Sequence, residues 1–157
     1  MAEAESAPNL RSVARLAAVQ ALYQMDISGT GVDTVINEYE THRIGKEIDG
    51  AQYGKADRKF FRAIVEGVLK NQTDIDPVVN GILDADWPIF RVDSIIRAIL
   101  RAGAFEVTYR KDVPVKASIN EYLNVADAFF GAEEKRLINA VLDKVAREAG
   151  REVRAKS

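Results

Sequence analysis

The chain has 157 residues, of which 47% are hydrophobic and 29% are charged, and its formal net charge is -2. This composition is typical of one globular domain with a real core, and it excludes a disordered chain and a protein that binds nucleic acid over its whole surface. The absence of cysteine excludes disulfides and thiolate metal sites. An acidic start and the lack of any apolar run of about 20 residues predict a cytoplasmic protein without signal peptide or membrane span.

Helical spacing dominates the first third of the chain, after residues 1–8, which are expected to form a disordered tail. The first predicted helix runs from Leu10 to Met25, is apolar around much of its circumference, and ends at a glycine-rich turn. The apolar stripe of a second helix follows over 32–39. Segment 45–54 is polar, holds three glycines and has no hydrophobic period, so we expect a mobile loop there.

Further helices are predicted downstream. Asp57 is expected to cap the next one, and the pair at 76–77, aspartate then proline, is typical of the start of another short helix. A long helix from about Val92 follows the tryptophan–proline break at 87–88. Two more helices follow, on either side of Gly131, and no segment alternates with the period of a strand.

The resulting fold class is all-α, with about seven helices in two packed helical subdomains. We assign residues 9–150 to one domain, with subdomains of about 9–86 and 87–150 on either side of the central break. Residues 151–157 are expected to form a basic C-terminal tail.

A search for catalytic or metal-binding groups ends without a candidate. His42 is the only histidine, and with Glu38 one turn earlier it offers two metal ligands on one helix face but no third. The glycine-rich segment 50–56 fails as a phosphate loop because its spacing is one residue short and no strand precedes it. The sequence therefore predicts a binding protein with no catalytic residue, no metal and no cofactor.

Two clusters combine arginine or lysine with an aromatic residue. Guanidinium groups suit phosphates, and an aromatic ring suits an unstacked base, so both clusters are candidate RNA contacts. On spacing alone, solvated surface charge is the more frequent explanation of such groups. The first cluster is Arg11, Arg15 and Tyr23, and the second is Phe130, Lys135 and Arg136.

Four blocks of sequence, in order and at matching spacing, resemble the NusB family of bacterial transcription antitermination factors. The resemblance covers almost the whole chain, from about Arg11 to Lys144. The blocks are RLAAVQALY at 15–23, ILRAGAFE at 99–106, DVPVKASINE at 112–121 and LINAVLDK at 137–144.

The resemblance implies a fold of two helical subdomains and a function without catalysis. Family members bind the boxA element of ribosomal-RNA transcripts as single-stranded RNA. They do so together with the small-subunit ribosomal protein that acts as NusE, and the pair joins an RNA polymerase antitermination complex. The family's RNA-contacting first helix implies this role for Arg11, Arg15 and Tyr23, and its second RNA-contacting region implies it for the second cluster.

The sequence departs from the family pattern at two positions, and there are two alternatives to the antitermination function. Ser12 and Val13 stand where some relatives have arginine, so weaker RNA affinity or a shallower salt dependence is expected. A NusB-like domain of a ribosomal-RNA methyltransferase is disfavoured because the chain leaves no room for a cofactor-binding sheet. The other alternative is a helical protein–protein scaffold, or a homodimer, without specific RNA binding.

Among the remaining polar residues, we expect structural roles. Arg101 with Glu106, and Asn120 with Glu121, are expected to hold helices together through hydrogen bonds or capping, because semi-buried polar groups must find partners. Asp112 is expected to initiate the turn before Pro114.

Overall fold

A computed structural model describes residues 10–39, 47–48, 51–52 and 55–151, with only the backbone described for those among 47–57. The described ranges contain six helices and a two-residue antiparallel strand pair, β1 Glu47–Ile48 with β2 Ala51–Gln52. The all-α class is confirmed, with one helix fewer than the seven expected and one small strand pair that periodicity did not reveal. The helices are α1 Leu10–Ser28, α2 Val32–Tyr39, α3 Lys55–Ile82, α4 Ser94–Tyr109, α5 Val115–Asp127 and α6 Ala132–Glu148.

Helix α1 is lined with small residues where it meets the rest of the protein. Ala14, Ala18 and Ala21 are fully buried, and small side chains let α1 lie close to α3 and α4. Gly29 ends the helix as predicted: its φ of 72° is in the left-handed region, and its N–H donates to the Met25 carbonyl at 2.9 Å. The turn then leads directly into α2.

The predicted helix start at the 76–77 pair is wrong, because α3 continues through Pro77. A proline inside a helix removes one backbone donor without abolishing the turns on either side. Ile75 and Val79 are both buried and continue one apolar stripe across the proline. Asp76 pairs with Arg101 of α4. Helix α3 also starts at Lys55, so Asp57 lies in its first turn and not at its cap.

Helix α4 is the centre of the fold, since it packs against α1, α3, α5 and α6. Asp93 begins it by accepting hydrogen bonds from the backbone N–H groups of Ile95 at 2.8 Å and Ile96 at 3.3 Å. The interior stretch from Ala98 to Val107, apart from the partly exposed Arg101, is buried. Every element that carries a candidate site is therefore positioned against the same helix.

The break at residues 87–88 is confirmed as the connection between α3 and α4. Its backbone is tied by hydrogen bonds, among them the Ile89 N–H to the Asn80 side-chain oxygen at 2.7 Å. Arg97 donates to the Ile89 carbonyl at 3.1 Å and pairs with Asp26 of α1 at 2.8 Å. Helix α1 thus contacts elements on both sides of the break.

Arg151 lies against the turn between α4 and α5. Its guanidinium donates to the Val107 carbonyl at 2.8 Å and to the Val113 carbonyl at 3.0 Å. The Val107 carbonyl belongs to the last turn of α4, where the helix itself offers no partner. In the part of the chain that the structure describes, no helix combines the length and the apolar character needed to cross a membrane.

Candidate nucleic-acid interface

Arg15, a predicted RNA contact, lies in a buried ion pair with Glu106 of α4. The Arg15 Nε and Nη2 atoms donate to the Glu106 carboxylate at 2.9 and 2.6 Å. Ser118 and Tyr122 of α5 donate their hydroxyls to the same carboxylate at 2.7 and 2.9 Å. One carboxylate therefore joins three helices, and each of its oxygens accepts more than one hydrogen bond.

This network explains why two opposite charges are tolerated in the core. The Arg15 side chain is 4% exposed and that of Glu106 is 0% exposed. Burial alone lowers the pKa of Arg15, but the hydrogen bond and charge of Glu106 outweigh it and leave that pKa raised. Burial, and then the charge of Glu106, raise the pKa of Tyr122 well above its ordinary value, so its hydroxyl stays a donor. A surface ligand does not reach Arg15, and its position does not support the predicted RNA contact.

Arg11 lies one turn before Arg15 and is 47% exposed. Its guanidinium carbon is 4.4 Å from the centre of the Phe60 ring, and the same ring has Arg15 at 4.9 Å and Arg110 at 5.1 Å. Three guanidinium groups from two parts of the chain therefore surround one aromatic ring of α3. We call Arg11, Arg110 and Phe60, with the carboxylate of Asp112, the Phe60 cluster.

Asp112 is the counter-ion of the Phe60 cluster. Its two oxygens accept from the Nε and Nη2 of Arg110 at 3.0 Å each, and Arg11 lies 3.6 Å away. The hydrogen bond from Arg110, and then the positive charges of Arg110 and Arg11, lower the pKa of Asp112 from 3.8 to about 2. The residue predicted only to start a turn is thus also an ion-pair partner.

The lowered pKa of Asp112 predicts that this residue makes a small, pH-dependent contribution to the free energy of unfolding. A carboxylate with a lower pKa in the folded state adds stability above pH 3.8, and the contribution is lost as the pH falls through about 2. Because Asp112 is half exposed, we expect it to contribute under about 1 kcal/mol. The test compares urea unfolding of wild type and Asp112→Asn from pH 2 to pH 6. A difference that grows towards low pH would contradict the assignment.

The second predicted cluster lies around the start of α6. Lys135 pairs with Asp127 at 2.6 Å, and Arg136 is exposed and forms no ion pair with the described residues. Phe130 is partly buried against the core, 6.3 Å from the exposed Phe129 ring. The N–H of Gly131, at the start of α6, donates to the Glu134 carboxylate at 3.2 Å and fixes this turn. Arg136 is therefore the most accessible cation of the cluster.

A surface groove of about 280 Å³ lies between α1 and α5. Arg11 directly precedes the first residue that lines the groove, and Phe129 directly follows the last one. Tyr23 is partly buried against the core and does not line the groove. The second cluster adjoins the groove, because Lys135 pairs with Asp127, the neighbour of the lining residue Ala128. The Arg11 guanidinium lies instead at the Phe60 ring, and neither Arg15 nor Tyr23 lines the groove. The groove-lining residues are Ser12, Val13, Leu16, Glu121, Asn124, Val125 and Ala128.

The predicted partners of the structural polar residues need correction. Arg101 pairs with Asp76, through Nε at 3.0 Å and Nη2 at 2.9 Å, and not with Glu106. Glu121 accepts a hydrogen bond from Ser12 of α1, while the predicted partner Asn120 is exposed. The signal for the buried pair was present in the sequence: Glu106 is the one acidic residue of a largely apolar helix, where a buried charge requires an opposite charge.

No group of three or more metal-ligating side chains occurs within the described ranges. His42, the candidate ligand in the sequence, lies outside the described residues. The described surface therefore has two features that suit a ligand: exposed cations beside aromatic rings, and the groove between α1 and α5.

A family model and several known proteins match this sequence over most of its length. The family model described as NusB family matches residues 12–147. The transcription antitermination protein NusB of Allorhizobium ampelinum (strain S4) is 59% identical over 140 residues, covering 89% of this chain and 88% of the relative. The protein of the same name from Rhizobium leguminosarum bv. trifolii is 56% identical over 140 residues, with the same coverage of both chains.

Solved structures agree with the sequence relatives. T. maritima NusB superposes with a TM-score of 0.75 at 25% identity, covering 90% of this chain and 92% of that one. The matching chain of a complex of the antitermination factors NusB and NusE with double-stranded RNA has a TM-score of 0.74 at 19% identity, covering 88% and 97%. At that identity the second likeness shows the fold alone. The match of the family model, the high identity of the relatives and the shared fold lead to one conclusion: this chain belongs to the NusB family.

Proposed function

We propose that the protein is a transcription antitermination factor that binds boxA-type RNA of ribosomal-RNA transcripts together with the ribosomal protein NusE. The observation that carries the proposal is the 59% identity over 140 residues to a transcription antitermination protein. In this proposal the protein acts in the cytoplasm, where it joins the antitermination complex of RNA polymerase. It binds and does not catalyse a reaction.

The surface that supports RNA binding runs along the groove between α1 and α5. Lys135 and Arg136, near the end of the groove at Asp127 and Ala128, and Arg11, at the Phe60 ring of the neighbouring surface of α1, supply cations for phosphates. Phe130, with the more exposed Phe129 beside it, supplies aromatic surface for an unstacked base. Arg15 acts indirectly in this proposal, because it holds α1 against α4 and so positions Arg11. Tyr23 stays a prediction that only a variant tests.

The need for a partner follows from the charge of the chain. With a net charge of -2 and few exposed cations at the groove, the protein alone is expected to hold RNA weakly. A basic ribosomal protein bound beside the groove would extend the RNA-contacting surface. Two ligands that bind adjacent sites of one complex then raise each other's affinity by the same factor.

The proposal is tested by fluorescence anisotropy with a boxA RNA, a scrambled RNA and a boxA duplex, each with and without NusE. We expect preference for single-stranded boxA and tighter binding with NusE. Arg11→Gln and Arg136→Gln should each weaken binding by about three- to tenfold and reduce the magnitude of the salt slope by about 0.7 per lost phosphate contact.

Arg91→Gln is the matched control for both variants. Arg91 is an exposed arginine in the connection between α3 and α4, with its guanidinium 4.8 Å from the centre of the Trp87 ring. This connection is linked through Arg97 to Asp26, near the end of α1 opposite to Arg11. This control should leave RNA affinity unchanged within about twofold. Equal affinity of the NusE complex for boxA and scrambled RNA would contradict the proposal. Retained binding to NusE, or self-association in sedimentation, would then favour the scaffold or homodimer alternative.

A further inference from the structure

The Phe60 cluster contains an anion-binding site that is already occupied by the protein's own carboxylate. Arg110 presents Nε and Nη2 to Asp112 as two parallel hydrogen bonds of 3.0 Å each. This fork is the arrangement by which arginine binds a phosphate group as well as a carboxylate. Arg11, on the other side of Asp112, adds a second cation at 3.6 Å.

The cations of this site have contacts besides those to Asp112. The Phe60 ring holds the guanidinium groups of Arg11 and Arg110 at 4.4 and 5.1 Å from its centre, and Phe60 itself is buried. The backbone N–H of Arg110 donates to the Glu106 carbonyl at 3.0 Å at the end of α4. Aromatic stacking and the helix end thus keep the fork in place when the carboxylate leaves.

Asp112 itself is displaceable. Its side chain is 51% exposed and lies in the short turn between α4 and α5, so rotation of its side chain releases both arginines to solvent. Exposed ion pairs are weak because water competes for both partners. A backbone phosphodiester carries one negative charge, as the carboxylate does, and its two non-bridging oxygens can accept both hydrogen bonds of the Arg110 fork.

We propose that Asp112 occupies, in the free protein, the place of an RNA backbone phosphate between Arg110 and Arg11, and competes with RNA for them. The inference rests on the proposed RNA-binding function and adds two residues to it. Arg110 is an RNA contact that lies outside both predicted clusters. Asp112 limits affinity, so RNA that binds here first displaces an internal anion.

The test measures binding of boxA RNA to the complex with NusE over a range of salt concentrations, using fluorescence anisotropy. Asp112→Asn removes the charge but keeps the shape of the side chain, so we expect roughly two- to fivefold tighter binding at low salt. Arg110→Gln should weaken binding. In the double variant Arg110→Gln/Asp112→Asn, the gain from Asp112→Asn should disappear, because the fork that phosphate occupies is missing.

Two further variants control for charge and for folding. Asp33→Asn makes the same charge change at an exposed position in the first turn of α2, which follows the end of α1 opposite to Arg11, so it should give no gain. Asp112→Ser removes the carboxylate with a residue that suits turns, and it should reproduce the gain of Asp112→Asn. Thermal unfolding of each variant verifies that it is folded.

The outcomes separate this inference from the function on which it rests. Tighter binding by both Asp112 variants, dependent on Arg110, supports it. Wild-type binding that prefers boxA, without a gain in either Asp112 variant or with an equal gain in Asp33→Asn, overturns the inference alone. Absence of boxA preference in wild type and variants alike overturns the proposed function and the inference with it.

Discussion

Replacement of Glu106 by glutamine is expected to lower the free energy of unfolding by about 3–5 kcal/mol, because it leaves a buried cation without its counter-ion. Glutamine has nearly the same shape, but it carries no charge to oppose Arg15, which is 4% exposed. Its amide nitrogen would also face the Ser118 or Tyr122 hydroxyl, which now donates to Glu106. Urea unfolding monitored by circular dichroism measures the loss.

Glu121 provides the matched control for this prediction. It faces the same guanidinium at 3.6 Å but is 25% exposed, so Glu121→Gln should cost less than about 1 kcal/mol. The double variant Arg15→Met/Glu106→Leu removes both charges and should be more stable than Glu106→Gln, although two hydroxyls then lose their acceptor. If Glu106→Gln and Glu121→Gln lowered the free energy of unfolding by the same small amount, the Arg15–Glu106 pair would not be what holds these helices together.

Gly67→Ala should destabilise the protein by about 1–3 kcal/mol, even though alanine is the better helix former. A Cβ at Gly67 of α3 would lie 2.3 Å from the Phe105 ring of α4. That ring is buried and stacks on Tyr109 with 5.5 Å between ring centres, so it has little room to move. Relief of the clash requires α3 and α4 to separate, which disturbs the centre of the fold.

Gly81→Ala is the control, because it makes the same substitution in the same helix. A Cβ there meets nothing within 4 Å, so this variant should be neutral or up to about 1 kcal/mol more stable. Thermal unfolding of both variants compares them directly. If Gly67→Ala matched Gly81→Ala in stability, the close approach of α3 to α4 would not be a constraint on this position.

The helices were predictable because their signal is local. The boundaries of α2 and the end of α1 at a glycine follow from stripe and turn residues alone. The false break at Pro77 has a physical reason: the rule for aspartate followed by proline is local, whereas burial of Ile75 and Val79 against other helices is not. Tertiary packing keeps α3 continuous where local preference predicts a new helix.

The pairing of charges was not predictable in the same way. Spacing correctly put Arg11 and Arg15 one turn apart, but the two differ in exposure, 47% against 4%. The difference arises because Arg15 meets Glu106, far along the chain, which periodicity does not reveal. The Phe60 cluster was not predicted for the same reason, since it combines residues of α1, α3 and the turn after α4. Local patterns show which residues share a face, and tertiary contacts decide what that face meets.

The short turn after α4 has a consequence for how the protein opens. Arg11, near the start of the described chain, pairs with Asp112 of this turn, and Arg151, at its end, donates to the Val113 carbonyl. Fraying of the first turn of α1 and of the segment after α6 therefore removes contacts from the same few residues. In native-state hydrogen exchange, the amides of these distant segments are expected to open as one cooperative unit and not as two independent ends.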